Sequence, residues 1–106
     1  MINVEPLQLE NGVAIGVSVS YPKTTLLSIV TTIGYVMCGV LNIEALDKLH
    51  KDREIIAARI TGVKSFQDLL NEKVVEATVK ACSIGICEGM TGREALNIML
   101  QQAKRS

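Results

Sequence analysis

Tryptophan is absent from this chain and phenylalanine occurs once, as Phe66; the other aromatics are Tyr21 and Tyr35. A core must therefore be assembled from aliphatic side chains, which interlock by shape and offer almost no ring-stacking geometry. Net charge is missing too, because 11 Lys and Arg balance 11 Asp and Glu. A nucleic-acid surface needs a basic excess to displace counterions from phosphate, so no nucleic-acid partner is expected. Neutrality also removes most of the repulsion that keeps copies of a protein apart.

Long hydrophobic runs are missing, and nothing reaches the ~18 apolar residues of a membrane span, so no membrane partner is expected. The opening MINVEPLQLENG has neither the basic region nor the apolar stretch of a signal peptide. Three cysteines, an odd number, stand at Cys38, Cys82 and Cys87, in spacings that fit no disulfide scaffold. Reduced thiols in a cytoplasm are the expectation. Catalytic signatures are also sparse. The one histidine is His50, there is no H-E-x-x-H, and no Ser-His-Asp arrangement can be defended. Gly85 to Gly92 lacks the Lys-Ser/Thr of a phosphate loop. Cys82 and Cys87, in CSIGIC, do not have the spacing of a zinc knuckle, so no metal is expected and no cofactor is indicated.

What remains is aliphatic. Hydrophobic residues make up 48% of the chain, and the mean hydropathy is +0.31. A length of 106 residues suits one domain, 1–106, with little margin of buried surface. Apolar surface shared between subunits is the expected remedy.

The first third alternates with period two, the mark of strands. Val13, Ile15, Val17 and Val19 interleave with Ala14, Gly16, Ser18 and Ser20, so the apolar set faces one side. A shorter strand over Val4–Leu9 precedes it, joined through Glu10-Asn11-Gly12, a hairpin signal because Asn and Gly tolerate positive φ. Pro6 removes a ladder donor, so this strand lies at an edge or starts late. Tyr21-Pro22-Lys23-Thr24 breaks the second strand, Thr25–Thr31 is a third, and Tyr35–Cys38 a fourth, its continuous apolar run suiting a strand covered on both faces. Asn42 reads as an N-cap before a short helix carrying Ala45, Leu46 and Leu49. Ile55–Val63 is a fifth strand. Ser65 caps a further helix, with a helical period from Val74 through Cys82 to a C′ glycine at Gly85 and a kink or break at Asn71-Glu72. Thr91-Gly92-Arg93-Glu94 matches a capping box and opens the last helix. The fold class is α+β: an N-terminal antiparallel meander, one right-handed β-α-β crossover joining strands four and five, and C-terminal helices packed on one face of the sheet.

Cys38 ends an apolar strand just ahead of a helix start. Free N–H groups there stabilise a thiolate, which suits a nucleophile. The plainer reading is a buried thiol acting as a small hydrophobe, and no base stands beside it in sequence. Arg59, inside an apolar strand, must be paired or partly exposed. It either forms an ion pair with Asp52, Glu44 or Asp47, or joins Arg53 in clamping a small anion. Cys38, Asn42, Asp52, Arg53 and Arg59 are thus the candidate ligand-binding set, at the carboxyl end of strand four.

Four stretches together resemble a known family: Tyr21-Pro22-Lys23-Thr24, GYVMCG from Gly34 to Gly39, KDREIIAAR from Lys51 to Arg59 with Gly62-Val63, and GMTGREAL from Gly89 to Leu96. They are similar to the YunC-like family, a small bacterial and archaeal domain of unknown function. The chain departs mildly from that pattern at Glu54 and Ala58, where glycine is common. The resemblance implies an N-terminal β region, here 1–33, that mediates tetramer formation ahead of a β-α-β and helical part, 34–106. It implies no activity, cofactor or catalytic residue. Two readings follow: a homotetrameric binding or structural module, or a small enzyme or ligand sensor using Cys38 and an Arg anion clamp.

Overall fold

The computed structural model describes residues 1–39 and 55–105. The sheet has six strands in chain order: β1 (Ile2–Leu9), β2 (Gly12–Tyr21), β3 (Thr24–Val30), β4 (Gly34–Met37), β5 (Ile56–Arg59) and β6 (Glu76–Ala77). The first four form an antiparallel meander, β4 and β5 run parallel, and β6 returns antiparallel. Parallel neighbours need a crossover. Its residues 40–54, where the helix capped by Asn42 is expected, lie outside the described residues. Three helices follow: α1 (Phe66–Asn71), α2 (Val79–Ser83) and α3 (Gly92–Arg105). This is the expected α+β class.

Both hairpins form at the expected places, with one difference of detail. Leu9 pairs with Gly12, so the turn is Glu10-Asn11, and positive φ falls on Gly12 alone. Tyr21 pairs with Thr24 around Pro22-Lys23. Lys23 has φ +69°, the conformation a type II turn requires after proline, usually supplied by glycine.

The helices cover one face of the sheet. Leu27 and Ile29 from β3, Val36 from β4 and Ala58 from β5 meet Leu69, Ile86, Leu96 and Met99 there. From β2 this face receives small residues, Ala14 and Gly16 buried and Ser18 half-buried, and the Phe66 ring lies so close that a Cβ on Gly16 would stand 3.0 Å from it. The alternation of β2 is real, but it is the small-residue side that the helices cover. Val13, Ile15, Val17 and Val19 point the other way.

The segment after α1 corrects the sequence reading. The apolar period from Val74 to Cys82 is not one helix. The chain breaks at Asn71-Glu72, as expected, then runs extended: Val75 N–H donates to Arg59 O (2.9 Å) and Thr78 N–H to Ala57 O (3.0 Å). Val74, Val75 and Thr78 are β-branched, stiff at χ1 and suited to a pleated surface. The helix begins only at Val79, after the cap at Thr78.

Thr78 is the buried polar side chain of this core. Its hydroxyl donates to Ile55 O (2.6 Å) and accepts from Ala57 N–H (3.2 Å) and, as the N-cap of α2, from Ala81 N–H (3.3 Å). One oxygen therefore ties the start of β5 to α2. Thr78→Val keeps the shape and strands those three backbone groups, so a loss of about 3 kcal/mol is expected. Thr78→Ser should retain most of the stability. Urea midpoints at unchanged m value measure both, and a Thr78→Val midpoint equal to wild type would contradict this account.

The remaining helix ends behave as local signals dictate. Gly85, at φ +105°, closes α2 in a Schellman motif: its N–H donates to Cys82 O and that of Ile86 to Ala81 O, each at 3.1 Å. Ser65 Oγ accepts from Asp68 N–H (3.2 Å) at the start of α1. The capping box is reciprocal: Thr91 Oγ1 accepts from Glu94 N–H and Glu94 Oε1 from Thr91 N–H, both at 3.2 Å.

Candidate functional site

The carboxyl ends of β4 and β5, the parallel pair, hold the two candidate residues that are described. Their ladder continues through Ile60 N–H to Met37 O (2.9 Å). Cys38 follows on β4, donates its N–H to Leu27 O (3.0 Å), and is 7% exposed within the hydrophobic core. Arg59 is opposite Met37 on β4 and Glu76 on β6. Side chains alternate along β4, so Arg59 shares the face of Met37 and Cys38 falls on the other. The structure does not bring these two together. Asn42, Asp52 and Arg53, together with the expected carboxylate partners Glu44 and Asp47, lie outside the described residues.

Arg59 Nη2 pairs with Glu76 Oε1 at 2.7 Å, a partner that the sequence reading missed. Recognising it required β6, whose register sets Glu76 directly across from Arg59. Both side chains keep solvent contact, 29% and 46% exposed, so the pair contributes at most about 1 kcal/mol. The Nε of Arg59 is buried and has no hydrogen-bond partner among the described residues.

Cys82 and Cys87 are exposed. Native protein is therefore expected to react with a thiol reagent at these two cysteines, and at Cys38 only after unfolding. Thiol counts with and without guanidinium measure this. Rapid native reaction of Cys38 would place it at solvent and restore a nucleophilic role. Among the described residues no three His, Cys, Asp or Glu side chains gather as a metal site would require.

Two hollows open elsewhere. One, of about 300 Å³, lies at the amino ends of β4 and β5, lined by Thr31, Tyr35, Ile55 and Ile56 among others. Burial pushes the Tyr35 hydroxyl above its ordinary range, and Thr31 Oγ1 is already engaged with the backbone of Gly34. The other, of about 290 Å³, lies beside α3 between Asn11, Asn97 and Gln101. Next to it the Glu10 carboxyl is held below the usual range, chiefly by the hydrogen bond from Asn97 Nδ2 (2.5 Å) and further by Arg93. Neither hollow includes Cys38 or Arg59.

The sheet also has an open face. Ile2, Val19 and Leu26 stand in one row, Val4 and Val17 in the next, then Pro6, Ile15 and Val30, then Val13 beside Gln8. Ile2 is 69% exposed, Val4 59%, Val13 49% and Ile15 38%. No charged side chain interrupts these rows. Surface isoleucines and valines scattered singly are ordinary; a contiguous face of them is not.

The family model for a domain of unknown function, DUF1805, matches residues 37–99, more than half of the chain. The chain belongs to this family. An uncharacterized protein of Bacillus subtilis (strain 168), YunC, is 37% identical over 101 residues, covering 95% of this chain and 100% of the relative. The crystal structure of a protein of unknown function, TA1206, from Thermoplasma acidophilum superposes with a TM-score of 0.81 at 33% identity, covering 92% of this chain and 91% of that one. The DUF1805 match begins at the end of β4, so the strands carrying the apolar face precede it. The YunC match extends over nearly the whole chain and takes in those strands as well.

Proposed function

We propose that this family member is a small homotetrameric cytoplasmic protein acting as a binding or structural module. Residues 1–33 would be the oligomerisation region of a single 1–106 domain. The observation that carries the reading is the uncharged aliphatic face of β1, β2 and β3, turned away from the helices. Strands of 8, 10 and 7 residues, about 4.8 Å apart and rising about 3.3 Å per residue, give a footprint of about 400 Å². A contiguous apolar patch of that size is often a functional surface. The occupant is a second copy. The face carries no charged side chain and is mostly aliphatic, so it can meet its own copy without burying a charge, and a neutral protein opposes the encounter little. The family resemblance supplies the number of subunits. No helix among the described residues is long and apolar enough to cross a membrane, so a lipid anchor of that kind does not compete for the surface.

Sedimentation at micromolar concentration tests the assembly. The expected species contains four 11.5 kDa chains, and a clean monomer would remove the proposal.

A second reading is a small enzyme or ligand sensor at the carboxyl ends of β4 and β5, with Arg59 holding a small anion. Its support is the Arg59 Nε, a buried donor with no acceptor among the described residues. The thiol count described above decides whether Cys38 belongs to it. A Cys38 that reacts only on unfolding leaves Arg59 without a nucleophile.

A further inference from the structure

Asn11-Gly12 shapes the first hairpin, and it is also the dipeptide of this chain most prone to deamidation. Asparagine followed by glycine loses ammonia readily, because glycine has no Cβ to hinder the approach of its nitrogen to the asparagine side chain. The other asparagines precede bulkier residues: Val4, Ile43, Glu72 and Ile98. Exchanging the glycine is not open to this fold, since Gly12 has φ +149°, a conformation that side chains disfavour. Protection of the turn has to come from the asparagine.

It comes from α3. Asn11 Nδ2 donates to Asn97 O (3.0 Å), and Asn11 N–H donates to Asn97 Oδ1 (3.0 Å). Backbone and side chain of Asn11 are thus clasped by one residue 86 positions away. Asn97 is itself held: its Nδ2 donates to Glu10 Oε2 (2.5 Å), and Arg93 Nη1 bonds Glu10 Oε1 (3.3 Å). The Gly12 nitrogen is engaged as well. Met1 and Ser20 exchange both backbone bonds, at 2.8 and 3.2 Å, and the register runs unbroken to Leu9 opposite Gly12. Alternation along the ladder makes that last pair another bonded one. Water is at hand, because Asn11 and Asn97 both line the hollow of about 290 Å³.

We propose that Asn11 is a modification site under conformational control: the Asn97 clasp suppresses deamidation while the first hairpin is docked on α3, and release of the hairpin permits it. In the released turn the Gly12 nitrogen gives its proton to solvent base and forms a bond to Asn11 Cγ. The Cγ–Nδ2 bond breaks and ammonia leaves, giving a five-membered imide. Water then adds at one of the two imide carbonyls, leaving an aspartate or an isoaspartate at position 11. The product cannot restore the clasp. Its carboxylate has no proton to give Asn97 O, and it stands next to the Glu10 carboxylate, to which Arg93 is already committed. A single opening event is thereby converted into a permanent mark that keeps the hairpin from docking again.

Peptide-level mass spectrometry of the full chain, incubated in mildly alkaline buffer, is the test; conversion adds about 1 Da at position 11. The folded chain should convert at least about tenfold more slowly than the same chain unfolded in urea. Asn97→Ala, folded by circular dichroism, should convert at least about tenfold faster than wild type. Gln101→Ala, which alters the same hollow outside the clasp, should convert at the wild-type rate. Equal rates in folded and unfolded wild type would overturn the proposal, and that comparison decides even if Asn97→Ala fails to fold. An Asn97→Ala chain that folds and converts no faster than wild type overturns it too, as does a Gln101→Ala chain accelerated to the same degree.

Discussion

Gly92→Ala is expected to remove about 3–5 kcal/mol of stability, a large fraction of what a domain of this size possesses. Gly92 opens α3 where that helix meets the end of α1. Its N–H donates to Glu72 O (3.1 Å). A Cβ added there would lie inside the contact distance of the Leu69 carbonyl oxygen and 3.0 Å from Ile60 Cδ1. The obstacle is backbone of a packed helix, so it cannot swing aside as a flexible side chain would. Relief requires α1 and α3 to separate, and they hold Leu69, Leu96 and Met99 in the core between them. The effect is one of space and not of dihedral freedom, because α3 is regular at this point. Arg93→Ala, one residue further on, should change stability by less than about 0.5 kcal/mol. Urea denaturation compares the two, and a Gly92→Ala protein within about 1 kcal/mol of wild type would show that the helices approach less closely than described.

Ile15→Lys should weaken self-association by about a hundredfold or more and leave the subunit folded. Ile15 stands mid-way along β2 between Pro6 and Val30, on the face away from the helices. In the separated subunit a lysine there reaches water, so far-UV circular dichroism should be unchanged. In the assembly it would place an unpaired ammonium against aliphatic neighbours, which is strongly unfavourable. Ala14→Lys, one residue earlier, is the contrasting variant. Ala14 is fully buried under the helices, and a lysine there should unfold the chain. If Ile15→Lys sediments like wild type, the apolar face is not the contact surface.

Features governed by neighbours in the chain were legible before the fold was known. Asn11-Gly12 announces a hairpin because few residues tolerate positive φ, and Pro22 announces a break in the second strand because it cannot donate to a ladder. Thr91 and Glu94 announce a helix start because their side chains answer each other three positions apart. Gly85 announces a helix end because glycine adopts φ +105° without strain. Each of these is a short-range hydrogen-bond or dihedral problem with few solutions.

Features governed by distant parts of the chain were not legible. The period from Val74 to Cys82 fits a helix as well as it fits a strand followed by a capped turn, and only the free edge of β5 decides for the strand. Glu76 meets Arg59 because of that pairing, and no spacing between residues 59 and 76 indicates it. Gly92 looks like a weak helix position until the Leu69 carbonyl is placed beside it.

The sequence alone determined that β2 has one aliphatic side and one small or polar side, because side chains alternate along any strand. Which side the helices cover was decided by the tertiary structure. Phe66 needs the flat ground of Gly16, so α1 settles on the small-residue side and leaves Val13, Ile15, Val17 and Val19 facing outward. Alternation is a property of the backbone, whereas burial depends on which other elements arrive and where they fit.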